Sequence, residues 1–247
     1  MLGLGSGLSM GNALDSEFLI SSVSDIEVWL KFNTGQTTTD SDSDGDADTQ
    51  WADQSGNGNN ATSSHNNDAH EGSFSGGAWT PSSAGLGTGS GILAFLALDS
   101  TVSLADDFTV IMVLTQDNTS DTLIGDGTGS NLIRFGQGST SGFRIKAGGL
   151  ADDIAMTQAA STDKAMFRFT RDGSDNISVH QNQTTVLIAP ETTTANALAI
   201  SKMPHGSSGL LAAEYVYEVA IFNKVLTGSE LVSVEVDILD RNSLSAD

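Results

Sequence analysis

The sequence predicts an all-β protein, a two-sheet antiparallel jelly-roll sandwich with a short C-terminal helix and an extended N-terminal arm. Short apolar stretches with the spacing of β-strands recur along most of the chain. Turn-forming residues separate them, among them 27 glycines. Only one segment carries a helix start signal. A chain of 247 residues that is 38% hydrophobic can bury a sizeable core, and sandwiches of this length are usually single domains.

The chain is strongly acidic, with 31 aspartates and glutamates against 10 lysines and arginines and a net charge of −21. Such a surface repels phosphate backbones and anionic lipids, so neither nucleic acid nor a membrane is expected as a partner. The charge suits a protein that stays soluble in a salty medium, where self-repulsion is screened, although acidity is also common among soluble proteins in general. The absence of cysteine excludes disulfides and thiolate metal sites.

Residues 1–24 are interpreted as an N-terminal arm, and residues 25–247 as the sandwich domain. The arm combines glycine and serine with scattered apolar residues, and it has too little periodicity for a helix. It contains no Lys or Arg, so a secretion signal is not expected. Two interpretations stay open, an unstructured terminus or an arm that docks onto a partner. In the second case the partner-binding residues are Leu2, Leu4, Leu8, Met10 and Leu14.

The first predicted strand covers residues 25–32, where apolar residues alternate with others as in a half-buried strand. The long polar stretch at 33–89 has no strong strand pattern and is predicted to form elaborated loops. The residues of the first strand predicted to point inward are Ile26, Val28, Leu30 and Phe32.

Strand patterns return in the second half of the chain, and the Asp-Gly pair at 172–173 is a hairpin signal between two of them. The predicted strands cover residues 91–98, 108–115, 122–124, 131–135, 142–146, 165–170, 176–180, 185–188 and 214–222. The residues of the last strand predicted to share one face are Tyr215, Tyr217, Val219 and Ile221.

The final element is predicted to be a short helix. Thr227 and Glu230 have the spacing of a capping box, and apolar residues follow at helical spacing. The alternation of Val232, Val234 and Val236 also fits a strand. We favour the helix because the capping box gives a physical reason for one to begin there.

Several segments occur in an order typical of one family. Ile-Glu-Val-Trp-Leu-Lys-Phe at 26–32 precedes Trp-Ala-Asp-Gln-Ser-Gly-Asn-Gly-Asn-Asn-Ala at 51–61, which is similar to a W-x-D-x-S-G-N-x-N-x-A turn. Phe-Thr-Val-Ile-Met-Val at 108–113, an Arg-Asp-Gly hairpin at 167–182 and the segment at 218–230 follow. Together they resemble the laminin-G-like, concanavalin A-like sandwich family over about residues 24–242. Gln183 stands where the hairpin usually has glycine, so that turn is expected to be built differently.

The resemblance implies a fold that is shared by lectins, adhesion modules, glucanases and virion proteins. The Met-Leu-Gly-Leu-Gly-Ser-Gly-Leu start before such a sandwich looks like virion structural proteins of tailed phages, especially marine or cyanophage-type ones. The chain is therefore predicted to be a capsid decoration or fibre component, assembled in the host cytoplasm and located in the virion. Its predicted partners are the major capsid protein or fibre subunits and further copies of itself. The alternative is a lectin-like receptor-binding domain that recognises a host-surface polysaccharide.

The acidic segment around residues 40–48 is the strongest chemical feature. Its Asp-x-Asp-x-Asp-Gly order reproduces the first half of an EF-hand-type calcium loop, although the twelfth position is Trp51 rather than Glu. Ca²⁺ is therefore the predicted cofactor, and the alternative is a solvated acidic hairpin tip. The predicted ligands are Asp40, Asp42, Asp44, Asp46 and Asp48.

Two further sets of residues are candidates for glycan binding or catalysis. Trp51 and Trp79 are the predicted glycan-binding residues of the lectin alternative, and the competing interpretation is that each packs a loop. Residues 235–240 superficially match the Glu-x-Asp-x-x-Glu catalytic strand of laminarinase-like glucanases. They follow a helix cap at the chain end, so no catalytic residue is assigned and the protein is predicted not to be an enzyme.

Overall fold

The computed structural model describes residues 18–39, 48–63, 72–80, 95–105, 107–116, 122–137, 140–148, 150–155, 163–173, 176–190, 196–203 and 213–245. Within these ranges the chain forms two antiparallel β-sheets and one α-helix near the C-terminus. The predicted all-β class with a single C-terminal helix is confirmed.

The first sheet holds the strands that position the candidate site. They are β1 (Ile26–Leu30), β5 (Ser73–Ser75), β6 (Ala78–Thr80), β8 (Phe108–Gln116), β13 (Ala165–Asp172), β14 (Asn176–Gln181), β15 (Thr184–Pro190) and β17 (Ala213–Phe222). Their order is β15-β14-β13-β8-β17-β6-β5, and β1 also pairs with β17.

The second sheet packs against the first across the main core. It consists of β2 (Gln36–Thr39), β3 (Asp48–Trp51), β4 (Ala61–Ser63), β7 (Leu96–Leu104), β9 (Thr122–Gly125), β10 (Leu132–Gln137), β11 (Thr140–Ala147), β12 (Leu150–Ala155) and β16 (Leu198–Met203). The order is β12-β11-β10-β9-β16-β7-β4-β3-β2.

The C-terminal helix α1 (Gly228–Arg241) begins where the sequence predicts it, with Thr227 at the N-cap position. The Thr227 side chain makes no capping hydrogen bond. Glu230 instead accepts a hydrogen bond from Lys224 Nζ at 2.7 Å, so its carboxylate is used to fix the approach to the helix. Val234 and Ile238 are fully buried one turn apart, and this burial favours the helix over the strand alternative.

Helix α1 covers the outer face of the first sheet and creates a second, outer core. On β8 the side chains of Met112 and Leu114 lie in the main core between the sheets. Ile111 and Val113 lie in the outer core with Val234 of the helix. Because both faces of β8 are buried, this strand is a continuous apolar run instead of an alternating one.

The inward face predicted for the first strand is partly wrong. Val28 and Leu30 belong to the main core, as predicted. Ile26 instead lies in the outer core on the same side as Trp29. The register of β1 against β17 shifts between Ile26 and Val28, and such a β-bulge moves the residues before it to the opposite face.

The prediction of elaborated loops at 33–89 is also wrong for the described part of that stretch, which contains five strands, β2 to β6. Each has only three or four residues. Strands this short contain too few residues to produce a recognisable alternation. They are held by backbone hydrogen bonds within sheets that also contain longer strands, such as β7 and β17. Their positions are therefore decided by tertiary pairing rather than by a local sequence pattern.

The turn at 52–60 is organised by the carboxylate of Asp53. It accepts hydrogen bonds from the backbone N–H of Trp29 at 2.8 Å and of Ser55 at 2.9 Å. It accepts a third from the backbone N–H of Asn59 at 3.0 Å. Asp53 therefore has a structural role, because its carboxylate satisfies backbone N–H donors of the turn and of β1.

Asp53 accepts from a backbone N–H of β1, whereas the asparagine side chains of the same turn donate to backbone carbonyl oxygens of β1. Asn57 Nδ2 donates to the backbone carbonyl of Ile26 at 2.6 Å. Asn59 Nδ2 donates to the backbone carbonyl of Glu27 at 3.1 Å. The turn thus hydrogen bonds to the edge of β1 that does not pair with β17.

Gln183 sits in a two-residue turn between β14 and β15, where Gln181 is paired with Thr184. Asn182 and Gln183 have φ angles of 44° and 73°. Two left-handed residues define the tight hairpin turn for which Asn-Gly is the preferred pair. The expectation of a differently built turn is therefore wrong, since Gln183 adopts the conformation that favours glycine. Asn182 is held by its side-chain oxygen, which accepts from the backbone N–H of Met166 at 3.0 Å.

Replacing Gln183 by glycine should stabilise the protein, because the left-handed conformation strains a residue with a Cβ atom. We expect Gln183→Gly to raise the free energy of unfolding by about 1 kcal/mol, measured by urea denaturation. Gln183→Ala is the matched control and should give no such gain, because alanine keeps the Cβ atom. Equal stability of the glycine and alanine variants would contradict this account of the turn.

Candidate functional site

Trp51 and Trp79 are both fully buried in the main core. Trp51 Nε1 donates to the backbone carbonyl of Lys31 at 3.0 Å, and its ring meets Phe74 edge-on at 5.6 Å. Neither indole presents a face to solvent, so the glycan-stacking role predicted for them does not fit their placement. The competing interpretation, that each packs a loop or strand, describes what the structure contains.

The predicted calcium ligands Asp40, Asp42, Asp44 and Asp46 lie outside the described residues. Asp48 is described and is a buried residue at the start of β3. The described parts of the chain contain no group of three or more His, Cys, Asp or Glu side chains that could hold a metal ion.

The predicted partner-binding residues Leu2, Leu4, Leu8, Met10 and Leu14 also lie outside the described residues. The end of the predicted arm is described, and it packs on the sandwich. Ile20, in a short 3₁₀ turn at Ile20–Ser22, is fully buried in the outer core together with Val23. Residues 18–24 therefore belong structurally to the folded body.

The carboxylates that superficially match a glucanase strand lie on helix α1. Glu235 is buried and its Oε1 accepts from Arg168 Nε at 2.7 Å. Asp237 Oδ2 accepts from Arg241 Nη2, also at 2.7 Å. Both carboxylates are thus neutralised by arginines, an arrangement that suits structural ion pairs rather than a pair of free catalytic acids.

The carboxylate of Glu218 on β17 is the centre of a polar cluster between the first sheet and α1. It is only 1% exposed. Trp29 Nε1 donates to it at 2.9 Å and Asn242 Nδ2 at 2.6 Å. Arg241 donates from Nε and Nη2 at 3.2 and 3.0 Å. Because a buried charge is costly unless it is hydrogen-bonded, these donors are what permit a carboxylate at this depth.

Arg241 connects the two carboxylates of this region. Its guanidinium binds both Glu218 and Asp237 and lies 5.3 Å from the centre of the Trp29 ring. Burial by itself would lower the pKa of Arg241. The hydrogen bond to Asp237 and the charge of Glu218 outweigh this effect and raise the pKa above its ordinary value.

A second buried pair, Arg168 with Glu235, lies next to His180. Arg168 on β13 is directly opposite His180 on β14 in the strand register. Burial, with a smaller contribution from the Arg168 charge, lowers the pKa of His180 to about 4. His180 is therefore neutral at pH 7. Its buried Nδ1 atom has no hydrogen-bond partner among the described residues.

Half-exposed aromatic rings gather beside the Glu218 cluster, on the outer face of the first sheet. The ring centres of Phe32 and Tyr217 are 6.1 Å apart, and those of Tyr215 and Tyr217 are 6.2 Å apart. Lys164 Nζ lies 4.1 Å from the centre of the Tyr217 ring and 4.7 Å from that of Phe32. We call these four residues, Phe32, Tyr215, Tyr217 and Lys164, the aromatic–lysine cluster.

A bulge in β17 produces this cluster. The register against β8 shifts between Val216 and Glu218, so that Tyr217 and Glu218 both reach the outer core side. Val219 lies in the main core instead. The single face predicted for Tyr215, Tyr217, Val219 and Ile221 is therefore wrong, since the bulge divides it into two tyrosines outside and two aliphatic residues inside.

Lys164 is held in place by more than the two rings. Its Nζ donates to the backbone carbonyl of Asn242 at 2.9 Å, beyond the last turn of the helix. Burial lowers the pKa of Lys164, and the charge of Glu218 opposes that shift. The amino group is thus a partly desolvated donor beside two partly exposed rings.

The aromatic–lysine cluster is the candidate functional site. Partly exposed aromatic rings next to hydrogen-bond donors suit a ligand that has one apolar face and several oxygens, such as a sugar ring. The sequence did not reveal it because Phe32, Lys164 and the two tyrosines are far apart along the chain. The one available signal was the pair of tyrosines at 215 and 217, in a sequence with only two tyrosines.

Comparisons with solved structures identify the fold of this chain. No protein-family model matches the sequence, and no curated protein sequence does. The structure is similar to the fourth domain of AbnA, an extracellular arabinanase from Geobacillus stearothermophilus solved in complex with arabinotriose. The two share 11% identity with a TM-score of 0.57, over 88% of this chain and 98% of that domain. The fold is a jelly-roll sandwich, as the sequence predicts.

Two further similar structures belong to larger chains. One is botulinum neurotoxin type C, whose cell entry depends on two ganglioside molecules, with 13% identity and a TM-score of 0.55 over 90% of this chain. The other is the binding domain of Paraclostridial Mosquitocidal Protein 1, with 13% identity and a TM-score of 0.53 over 87% of this chain. The chain spans about half the length of both, 51% and 52%.

No α-helix in the described ranges has the length and apolar character needed to cross a bilayer.

Removing Glu235 should be much more damaging than removing Asp237, although both lie on the same helix and pair with arginines. Glu235→Ala leaves Arg168 buried without its carboxylate, and we expect a loss of about 3 kcal/mol in the free energy of unfolding. Asp237→Ala is the matched control, and about 1 kcal/mol or less should be lost because Arg241 keeps Glu218 as a partner. Urea denaturation of both variants measures the difference, and equal losses would contradict the assignment.

Proposed function

We propose that this chain is a carbohydrate-binding domain without catalytic activity, which corresponds to the lectin-like alternative of the sequence analysis. The observation that carries the proposal is the aromatic–lysine cluster, where partly exposed aromatic rings and a lysine donor lie together on the outer face of the first sheet. The likeness to a domain that binds arabinotriose is in agreement, although at 11% identity it extends to the fold alone.

The proposed lack of catalysis rests on the chemistry of the buried carboxylates. Glycoside hydrolysis needs two carboxyl groups that can reach the sugar from one site. Glu218 is buried beneath helix α1 and Glu235 is buried on the helix itself, and each is ion-paired with an arginine. Neither is arranged as a proton donor to a ligand at the surface.

The proposal predicts saturable binding to carbohydrate without turnover. We expect isothermal titration calorimetry with arabino-oligosaccharides and a panel of bacterial surface polysaccharides to give a Kd of about 1 mM or tighter for at least one ligand. Reducing-sugar assays on the same ligands should show no release over the blank. Failure to bind any member of the panel would refute the carbohydrate proposal, and measurable release would refute the non-catalytic one.

The virion structural role, as a capsid decoration or fibre component, is a second proposal. The supporting observations are the net charge of −21 and the resemblance of the glycine-rich, apolar start of the chain to tailed-phage virion proteins. On this proposal residues 1–17 contact the major capsid protein or fibre subunits, and the sandwich faces the medium. The two proposals are compatible, because a virion surface protein can also recognise a host polysaccharide.

Deletion of residues 1–17 tests the virion proposal and keeps every residue that the structure describes. Ile20 and Val23 stay in place to fill the outer core, so the truncated protein should keep its unfolding midpoint. We expect full-length protein to co-sediment with intact virions and the truncated protein to remain in the supernatant. Equal co-sedimentation of the two, or absence of the chain from purified virions, would refute the anchoring role.

Calcium binding by Asp40, Asp42, Asp44, Asp46 and Asp48 stays a prediction from the sequence. A titration with Ca²⁺ that shows no heat at millimolar concentration would remove it.

A further inference from the structure

We infer that the aromatic–lysine cluster binds an acidic sugar, with Tyr215 and Tyr217 contacting the sugar ring and Lys164 binding its carboxylate or sulfate, while Lys31, which lies on the Trp29 ring beside Glu218, adds positive charge. This inference rests on the proposed carbohydrate-binding function and adds to it a site and a ligand class. It is carried by the placement of positive charge in an otherwise strongly acidic chain.

The two lysines are cations without a paired carboxylate. Lys31 Nζ lies 5.1 Å from the centre of the Trp29 ring, and Lys164 Nζ contacts two rings and a backbone carbonyl. Within the part of the chain that the structure describes, neither forms a salt bridge. A protein with 31 acidic and 10 basic residues has carboxylates in abundance, so two lysines without a salt bridge, one on the Trp29 ring that binds Glu218 and one on the rings of the cluster, are unexpected for a surface that only needs to be soluble.

The local charge balance is positive. Arg241 is shared between Glu218 and Asp237, which leaves one negative charge. Lys31 and Lys164 add two positive charges, so these five side chains sum to one positive charge in a chain of −21. At physiological salt the Debye length is about 8 Å, so an anionic group at the cluster responds to these near charges more than to the distant acidic surface.

The state of Lys164 also favours an anion. Its ammonium is partly desolvated against Phe32 and Tyr217, and it retains protons for donation beyond the one bound by Asn242. Charge-assisted hydrogen bonds to a carboxylate or sulfate are stronger than those to a sugar hydroxyl. The ring faces supply the contact for the apolar side of the same sugar, so one ligand satisfies both halves of the cluster.

The variants to test are Lys164→Gln, Lys31→Gln and Tyr215→Ala. A matched control comes from the opposite sheet, where Lys202 Nζ lies 4.2 Å from the centre of the Phe95 ring. Lys202→Gln therefore removes the same charge from a similar lysine–aromatic contact on the other sheet. Urea unfolding of each variant establishes that the fold is retained before its binding is measured.

The full-length chain and its variants are titrated with polygalacturonate, a sulfated galactan and uncharged arabinan. We expect tighter binding to an acidic polymer than to arabinan, and weaker binding of the acidic polymer in 0.5 M NaCl. Lys164→Gln and Lys31→Gln should each weaken binding about tenfold, Tyr215→Ala about fivefold, and Lys202→Gln not at all. The relative affinities for the carboxylated and the sulfated polymer identify which anion the site accepts.

Two results would overturn the inference while leaving the proposed function in place. One is binding of arabinan as tightly as the acidic polymers, which refutes the preference for an anion. The other is binding of an acidic polymer that the three cluster variants do not weaken more than Lys202→Gln does, which refutes the site. Absence of binding to all three polymers and to the wider panel would instead refute the carbohydrate-binding function itself.

Discussion

The buried carboxylate of Glu218 is the interaction on which the arrangement of this molecule depends. It joins β17, β1 through Trp29, and the end of helix α1 through Arg241 and Asn242. A charge that is 1% exposed must be fully hydrogen-bonded, and the required donors come from two other elements, β1 and the end of α1. The helix is consequently fixed in position on the sheet by polar geometry, whereas the apolar contacts of Val234 and Ile238 supply its burial.

The candidate site is a consequence of this arrangement. The bulge that directs Glu218 towards the helix also directs Tyr217 outwards, so the same backbone irregularity builds the buried ion pair and the partly exposed aromatic cluster. Lys164 is bound to the carbonyl of Asn242, whose amide binds Glu218. The side chains that would contact a ligand therefore rest on residues that cannot move without disturbing the core, which favours a preformed site.

The sequence was sufficient to predict the class of fold, several of the longer strands and the C-terminal helix. β8 and β13 are apolar enough to be found by pattern, and the capping box locates the start of α1 correctly even though Thr227 makes no side-chain cap. The five short strands β2 to β6 could not be found, because their pairing is decided by distant partners. The faces of β1 and β17 were assigned incorrectly for a single physical reason: a bulge reverses a period-two pattern, and the residues around it are ordinary. The bulge in β17 brings the tyrosines to Phe32 and Lys164, so the sequence pattern could not predict the site for the same reason.

The turn at 52–60 has a further consequence for the behaviour of the chain in solution. A strand with an unoccupied edge is a template on which another polypeptide can extend a sheet, and this is a common origin of aggregation. Asp53, Asn57 and Asn59 occupy the edge of β1 with side-chain hydrogen bonds, so no second copy can add a strand there. The turn at 52–60 thus acts as protection against self-association at β1, and any oligomer of this protein must use other surfaces.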